Sequence, residues 1–278
     1  MSGPAFGLAL ALLSSLTSVI SHAFFKASED RLAIRGWCCV VEIVFALPIA
    51  LWTGWLPLHL LPYAAGFGLV GGLYQLLLIR SYRLSDFSAA YPVARGVVPL
   101  AMALLGVAVL GDQLSAVELL AIGATATGIV LLAFGNSMSA HGWGAALLTG
   151  LTTIGYNLLA AKGMREATNP LNFLAWLLVA DSVLIPLVLC LGDPTGAKRR
   201  MVATVHSGWS IGMLMLVSYS AFAFAMRIAP IGPVSAIRES SVLIGLVLAA
   251  AILKERLGTR RIAAGLLIVA GAVTLAFA

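Results

Sequence analysis

The chain has 278 residues, 61% of them hydrophobic and only 10% charged, with a formal net charge of +6 and a mean hydropathy of +1.02. A soluble domain carries about 25% charged residues, so this composition excludes a soluble protein and predicts an all-α polytopic membrane protein. The positive charge is no nucleic-acid signal, because the basic residues sit at the ends of apolar runs rather than in a patch with interleaved aromatics.

A bilayer-spanning helix needs about 20 mainly apolar residues. Ten segments meet this along the chain: 5–25, 36–54, 63–80, 87–110, 115–135, 142–161, 171–191, 208–226, 232–253 and 261–278. Charged, Pro- or Gly-containing breaks separate them, among them "YRLSD", "GDQLS", "KGMREATNP" and "KERLGTRR". The first segment lacks the basic n-region of a signal peptide and has a mate later in the chain, so it reads as a retained helix.

That mate belongs to an internal repeat. "LSSLTSVISH" (13–22) lies over "LTGLTTIGYN" (148–157), "WCCVVE" (37–42) over "WLLVAD" (176–181), and "ARGVVPLAMALLGVAVLGDQL" (94–114) over "IRESSVLIGLVLAAAILKERL" (237–257). The chain is thus predicted as two five-helix repeats, 1–137 and 138–278. Five is odd, so the second repeat enters the membrane inverted. Inverted repeats are the usual build of secondary transporters, with the binding site near the midplane at the repeat interface.

Loops 1, 3, 5, 7 and 9 share one side and carry Lys26, Arg31, Arg35, Arg80, Arg83, Lys198, Arg199, Arg200, Lys254, Arg256, Arg260 and Arg261. The other side carries Lys162, Arg165 and Arg227, a bias of 12 to 3. The positive-inside rule then makes the odd loops cytoplasmic and places both termini outside.

Ionisable residues inside spans are functional-site hypotheses by default. Glu42, Arg95, Asp181, Arg238 and Glu239 stand inside, and the repeat pairs Glu42 with Asp181 and Arg95 with Arg238. Two readings of the arginines remain open. They lock helices together as buried ion pairs, or they present a planar donor fork to a carboxylate or phosphate on a solute. Glu42, Asp181 and Glu239 are the candidates for proton coupling.

A milder polar set accompanies them. Ser18, Ser21 and His22 share one face of the first helix, and Tyr156 and Asn157 lie on the equivalent face of the sixth. Tyr74, Gln75 and Tyr219 are further candidates for lining a cavity or for hydrogen bonding between helices. Gly68 and Gly72 have the spacing that lets helices approach closely. Pro92 and Pro99 flank Arg95, and Pro48 and Pro186 occupy nearly equivalent places in helices two and seven.

Cys38, Cys39 and Cys190 form neither a disulfide framework nor a metal-ligand spacing. No catalytic motif and no P-loop is present, so neither an enzyme nor an ATP-driven pump is expected, and no cofactor.

With "GDQLS" and "KERLG" closing the fourth and ninth segments, the chain resembles the EamA-type members of the drug/metabolite transporter superfamily. More narrowly it resembles a bacterial branch with "YPxARG", matched by Tyr91, Pro92, Ala94, Arg95 and Gly96. The same branch has "RExSVL", matched by Arg238, Glu239, Ser241, Val242 and Leu243, and "NPLxFLAWL" at 169–177. The match departs at Phe25 and Lys26, where the branch has Trp and Asn, and at Ala160, where it often has Asp. The resemblance adds Tyr91 to the substrate-site candidates. It implies an inner-membrane carrier of small organic solutes, often amino acids, frequently outward; for the chain itself, both monomer and homodimer stay open. It also implies cytoplasmic termini, against the charge bias. The alternative function is a non-transporting scaffold or lipid flippase whose internal charges are structural.

Overall fold

The computed structural model describes residues 3–96, 98–133, 138–192, 194–242, 244 and 259–277. Among these residues every regular element is helical. The first half holds α1 (Gly3–Ala27), α2 (Arg31–Thr53), α3 (Leu61–Leu84), α4 (Phe87–Arg95), α5 (Val98–Leu110) and α6 (Ala116–Ala133). The second holds α7 (Ala140–Glu166), α8 (Pro170–Asp181), α9 (Leu184–Gly192), α10 (Pro194–Ala203), α11 (Val205–Ile228), α12 (Ile231–Glu239) and α13 (Thr259–Phe277).

Among the described residues, seven helical stretches are long and apolar enough to cross a bilayer, with α4–α5 and α8–α9 each counted as one. The apolar stretches in α6 and α13 are shorter. Of the predicted ninth segment, α12 is described, while 245–258, with "KERLG", lie outside the described residues.

Two predicted spans are broken, and proline chemistry places both breaks. A proline inside a helix removes the bond to the carbonyl four residues back and clashes with it. Pro99 and Pro186 therefore remove the helical bonds to the carbonyls of Arg95 and Ser182. Accordingly α4 ends at Arg95, and α8 ends at Asp181 with Ser182 as its C-cap. Pro48 leaves α2 unbroken. The second span starts earlier than predicted, at Arg31, because the Asp30 carboxylate caps it by accepting from the Ala33 amide at 3.0 Å. Arg35 is thus helical and buried, which corrects its place among the loop charges and leaves a bias of 11 to 3.

The strongest packing is between the halves: α3 on α7, α1 on α11, α6 on α13, α2 on both α11 and α8, and α5 on α12. Exchanging α1 with α7, α2 with α8, α3 with α11 and α6 with α13 maps the contacts among these eight helices onto one another. The α1–α11 contact becomes α7–α3, and α2–α11 becomes α8–α3, which is also present. These eight helices therefore pack with a two-fold exchange pattern.

Gly68 and Gly72 serve the close approach of α3 to α8 and α9. A Cβ on Gly68 would lie 2.5 Å from the Ala180 carbonyl oxygen, and one on Gly72 would lie 2.5 Å from Leu184 Cδ2. A backbone carbonyl cannot swing aside as a side chain can. Gly68→Val is therefore expected to destabilise the protein by about 1–3 kcal/mol, the usual cost of overpacking. Gly123→Val, at a position with open space, is the control. Equal melting temperatures for the two variants would refute the close-packing role.

The ends of the bundle are tied by polar contacts. On the even-loop side Arg165 pairs with Asp112 at 2.6 Å, and Asp112 also accepts from the Ile231 amide at 2.8 Å. Gly111, at φ +72°, supplies the left-handed turn that brings Asp112 back. On the odd-loop side Arg200 binds both carboxylate oxygens of Asp30, at 2.6 and 2.7 Å.

The Arg200 hydrogen bond, foremost, holds the Asp30 carboxyl below its ordinary 3.8. A depressed carboxylate stabilises the fold above its unfolded value, and that stability is lost as pH falls through the folded value. Wild type should therefore melt above Asp30→Asn at neutral pH, and the gap should close as pH falls below about 4. A gap that persists under acid would refute the ion pair's contribution.

Candidate functional site

Where the halves meet, a narrow polar cavity lies among α1, α2, α3, α7, α8, α11 and α12. Its volume is about 60 Å³, room for a few waters. Ser18, Ser21 and His22 face it from α1, and Arg35 and Glu42 face it from α2. Tyr74, Tyr156 and Tyr219 form an aromatic wall, in which Tyr74 and Tyr156 lie 5.1 Å apart between ring centres. Asp181 and Arg238 complete the charged lining.

The remaining sequence-derived candidates sit elsewhere. Gln75, Tyr91, Arg95 and Glu239 are buried behind the lining, and Asn157 is fully buried away from it. Both polar atoms of the Asn157 amide lack a partner among the described residues.

The buried charges sort by their partners. Arg95 Nη1 reaches Glu239 Oε1 at 2.8 Å and Oε2 at 3.1 Å. Its Nη2 lies 3.4 Å from both His22 Nε2 and the Tyr74 hydroxyl. For Arg95 to donate to His22 Nε2, the imidazole proton must sit on Nδ1, which faces the Tyr82 hydroxyl at 3.4 Å. Arg95 also lies 5.4 Å from the Tyr91 ring centre, and Tyr91 bonds Ser241 at 3.2 Å. The acid that meets Arg95 is therefore Glu239 of the second half, and neither Glu42 nor Asp181. The breaks that end α4 at Arg95 and α12 at Glu239 bring these two helix ends together.

Arg35, which sequence reasoning placed in a loop, is a cavity residue. Its Nε donates to Gln75 Oε1 at 3.1 Å, and Gln75 Nε2 donates to Asp181 Oδ2 at 2.7 Å. Gln75 thus relays between a cation and an anion. The signal that would have found Arg35 is Asp30, whose capping role puts the helix start at Arg31, upstream of Arg35.

Glu42 accepts from the Ser182 hydroxyl at 2.8 Å. Arg238 stands apart: its Nε and Nη1 have no hydrogen-bond partner among the described residues. Its guanidinium carbon lies 4.0 Å from the Phe222 ring centre and 6.0 Å from that of Tyr219. Three arginines and three carboxylates are buried here. One pair is direct and one runs through Gln75, which leaves Arg238 and Glu42 without an ionic partner among the described residues.

Two helical halves enclosing a charged, aromatic-walled cavity is the build expected of a membrane carrier. The EamA-like transporter family profile matches residues 1–134 and again 142–277, so the chain is a member of that family and carries its unit twice. Members are membrane transporters of the drug/metabolite transporter superfamily. A solved crystal structure, 18% identical, superimposes with a TM-score of 0.69 over 98% of this chain and 97% of its own, a likeness of fold. No curated protein matches the sequence.

Proposed function

We propose that the protein is a secondary transporter of small carboxylate-bearing solutes, amino acids foremost. It would export or exchange them across the bacterial inner membrane by alternating access. The two repeats, 1–137 and 138–278, act as inverted units of five transmembrane helices each. The carrying observation is Arg238, a buried guanidinium in the cavity with two donor nitrogens unsatisfied. An unpaired buried cation costs several kcal/mol, and a solute carboxylate offsets that cost with charge-assisted hydrogen bonds. Glu42, across the same cavity and without an ionic partner, suits an ammonium group. A zwitterion therefore leaves the site neutral. Asp181, held by Gln75, and Glu42 are the groups through which a proton gradient would act. Glu239 is engaged with Arg95.

Uptake or counterflow of a labelled amino-acid panel in proteoliposomes tests this reading. Flux of at least one zwitterion, dependent on the protein, is expected. A panel that moves no faster than in empty liposomes would favour a scaffold, in which the Arg95–Glu239 pair is a structural lock. The charge bias of the loops supports cytoplasmic odd loops and external termini. A phosphatase fused at the C-terminus should then be active in the periplasm, and a fusion that is only cytoplasmically active would reverse the orientation.

A further inference from the structure

A second void, about 690 Å³, opens on the odd-loop side, lined by the end of α1, the start of α2, α10 and the start of α11. Phe24, Ile211 and Leu214 give it apolar walls. The ten residues of α10 span only about 15 Å and cannot cross a bilayer. This helix carries Lys198, Arg199 and Arg200 beside Val202, which is 64% exposed, the composition of a helix lying in the headgroup layer. Trp209, exposed one turn into α11, meets Trp37 edge-on at 6.3 Å and marks the same level.

The rim carries two acids and two bases. Arg200 and Asp30 satisfy each other. Arg199 and Glu29, both exposed, form no ion pair among the described residues. The Ser207 and Ser210 hydroxyls donate to Thr204 and His206 carbonyls of their own helix, which leaves their lone pairs as acceptors. Among the described residues the rim therefore offers a cation and an anion outside any ion pair, with extra acceptors, above an apolar slot.

We propose that this crevice binds a zwitterionic, amine-bearing phospholipid of the phosphatidylethanolamine type. Its phosphate meets Arg199, its ammonium meets Glu29 and the serine hydroxyls, and an acyl chain lies along Phe24, Ile211 and Leu214. Phosphatidylcholine has no N–H to donate to Glu29, and phosphatidylglycerol brings an anion without a compensating cation. The site reaches the transport cavity through α2. Trp37 Nε1 bonds the Met201 carbonyl at 2.8 Å, and Arg200 holds Asp30, so α10 is fixed to the helix that carries Arg35 and Glu42.

Native mass spectrometry of the delipidated full chain tests this against the three lipids added singly. Wild type should bind phosphatidylethanolamine about tenfold more tightly than the other two, as one or two charge-assisted hydrogen bonds provide. Arg199→Gln should weaken all three, and Glu29→Gln should erase the preference over phosphatidylglycerol. Both side chains are exposed, so both variants should melt like wild type without lipid. Equal binding of the three lipids by wild type, or unchanged phosphatidylethanolamine binding in both variants, would overturn the proposal. So would variants that alter solute flux but not lipid binding, since the crevice would then be a solute vestibule.

Discussion

Arg238→Gln is expected to abolish solute binding while leaving the melting temperature equal to or above that of wild type. The two effects have one cause. The Arg238 guanidinium is buried with Nε and Nη1 unsatisfied among the described residues, and its compensation there is the Phe222 face at 4.0 Å. A desolvated cation–π contact contributes about 2 kcal/mol, against a desolvation cost of several kcal/mol. Removing the charge therefore removes a net burden from the empty protein. A bound carboxylate, by contrast, loses charge-assisted hydrogen bonds worth about 1.5–3 kcal/mol each, or about a hundredfold to ten-thousandfold in affinity for a bidentate pair. Arg238→Lys should fall between, because an ammonium keeps the charge but not the planar fork. Ligand-dependent thermal shifts measure both quantities in one experiment. A variant that binds the solute like wild type would sink the role, and one that loses both binding and stability would reassign Arg238 to the fold.

Much of this site is legible in the sequence, for reasons that are local. An ionisable residue deep in an apolar run is conspicuous, so Glu42, Arg95, Asp181, Arg238 and Glu239 stand out, and all five are buried. The breaks at Arg95 and Ser182 lie four residues before prolines, a constraint that acts along the chain. Less is legible where a residue's role depends on another segment. Arg35 lies at the edge of an apolar run, and edge charges look like loop charges until the Asp30 cap is considered. The Arg95–Glu239 pair could not be read from the repeat, because repeat alignment names equivalents rather than partners. Arg95 aligns with Arg238, yet it touches the residue next to it. Asn157 aligned with His22 and shared its polarity, but only His22 faces the cavity. Equivalent positions in two repeats diverge where the packing around them does.

Arg95→Ala is expected to be the most destabilising single change at the site, costing about 3–5 kcal/mol. Glu239 is fully buried, and its oxygens lie 2.8 and 3.1 Å from Arg95 Nη1. Deleting the arginine strands that carboxylate away from water. It also removes the cation near His22 and Tyr74. Glu239→Ala should cost a similar amount by stranding Arg95. Arg95→Met with Glu239→Leu removes both charges and keeps volume, and such swaps are often neutral or stabilising. The double variant should therefore recover most of the loss, giving a large favourable coupling energy in a double-mutant cycle. Its transport then separates two roles for the pair. Retained flux would mean that the ion pair only joins the ends of α4 and α12. Lost flux with recovered stability would mean that the pair must open and re-form as the repeats rock. Additive single-variant losses, with no recovery in the double, would refute the pairing itself.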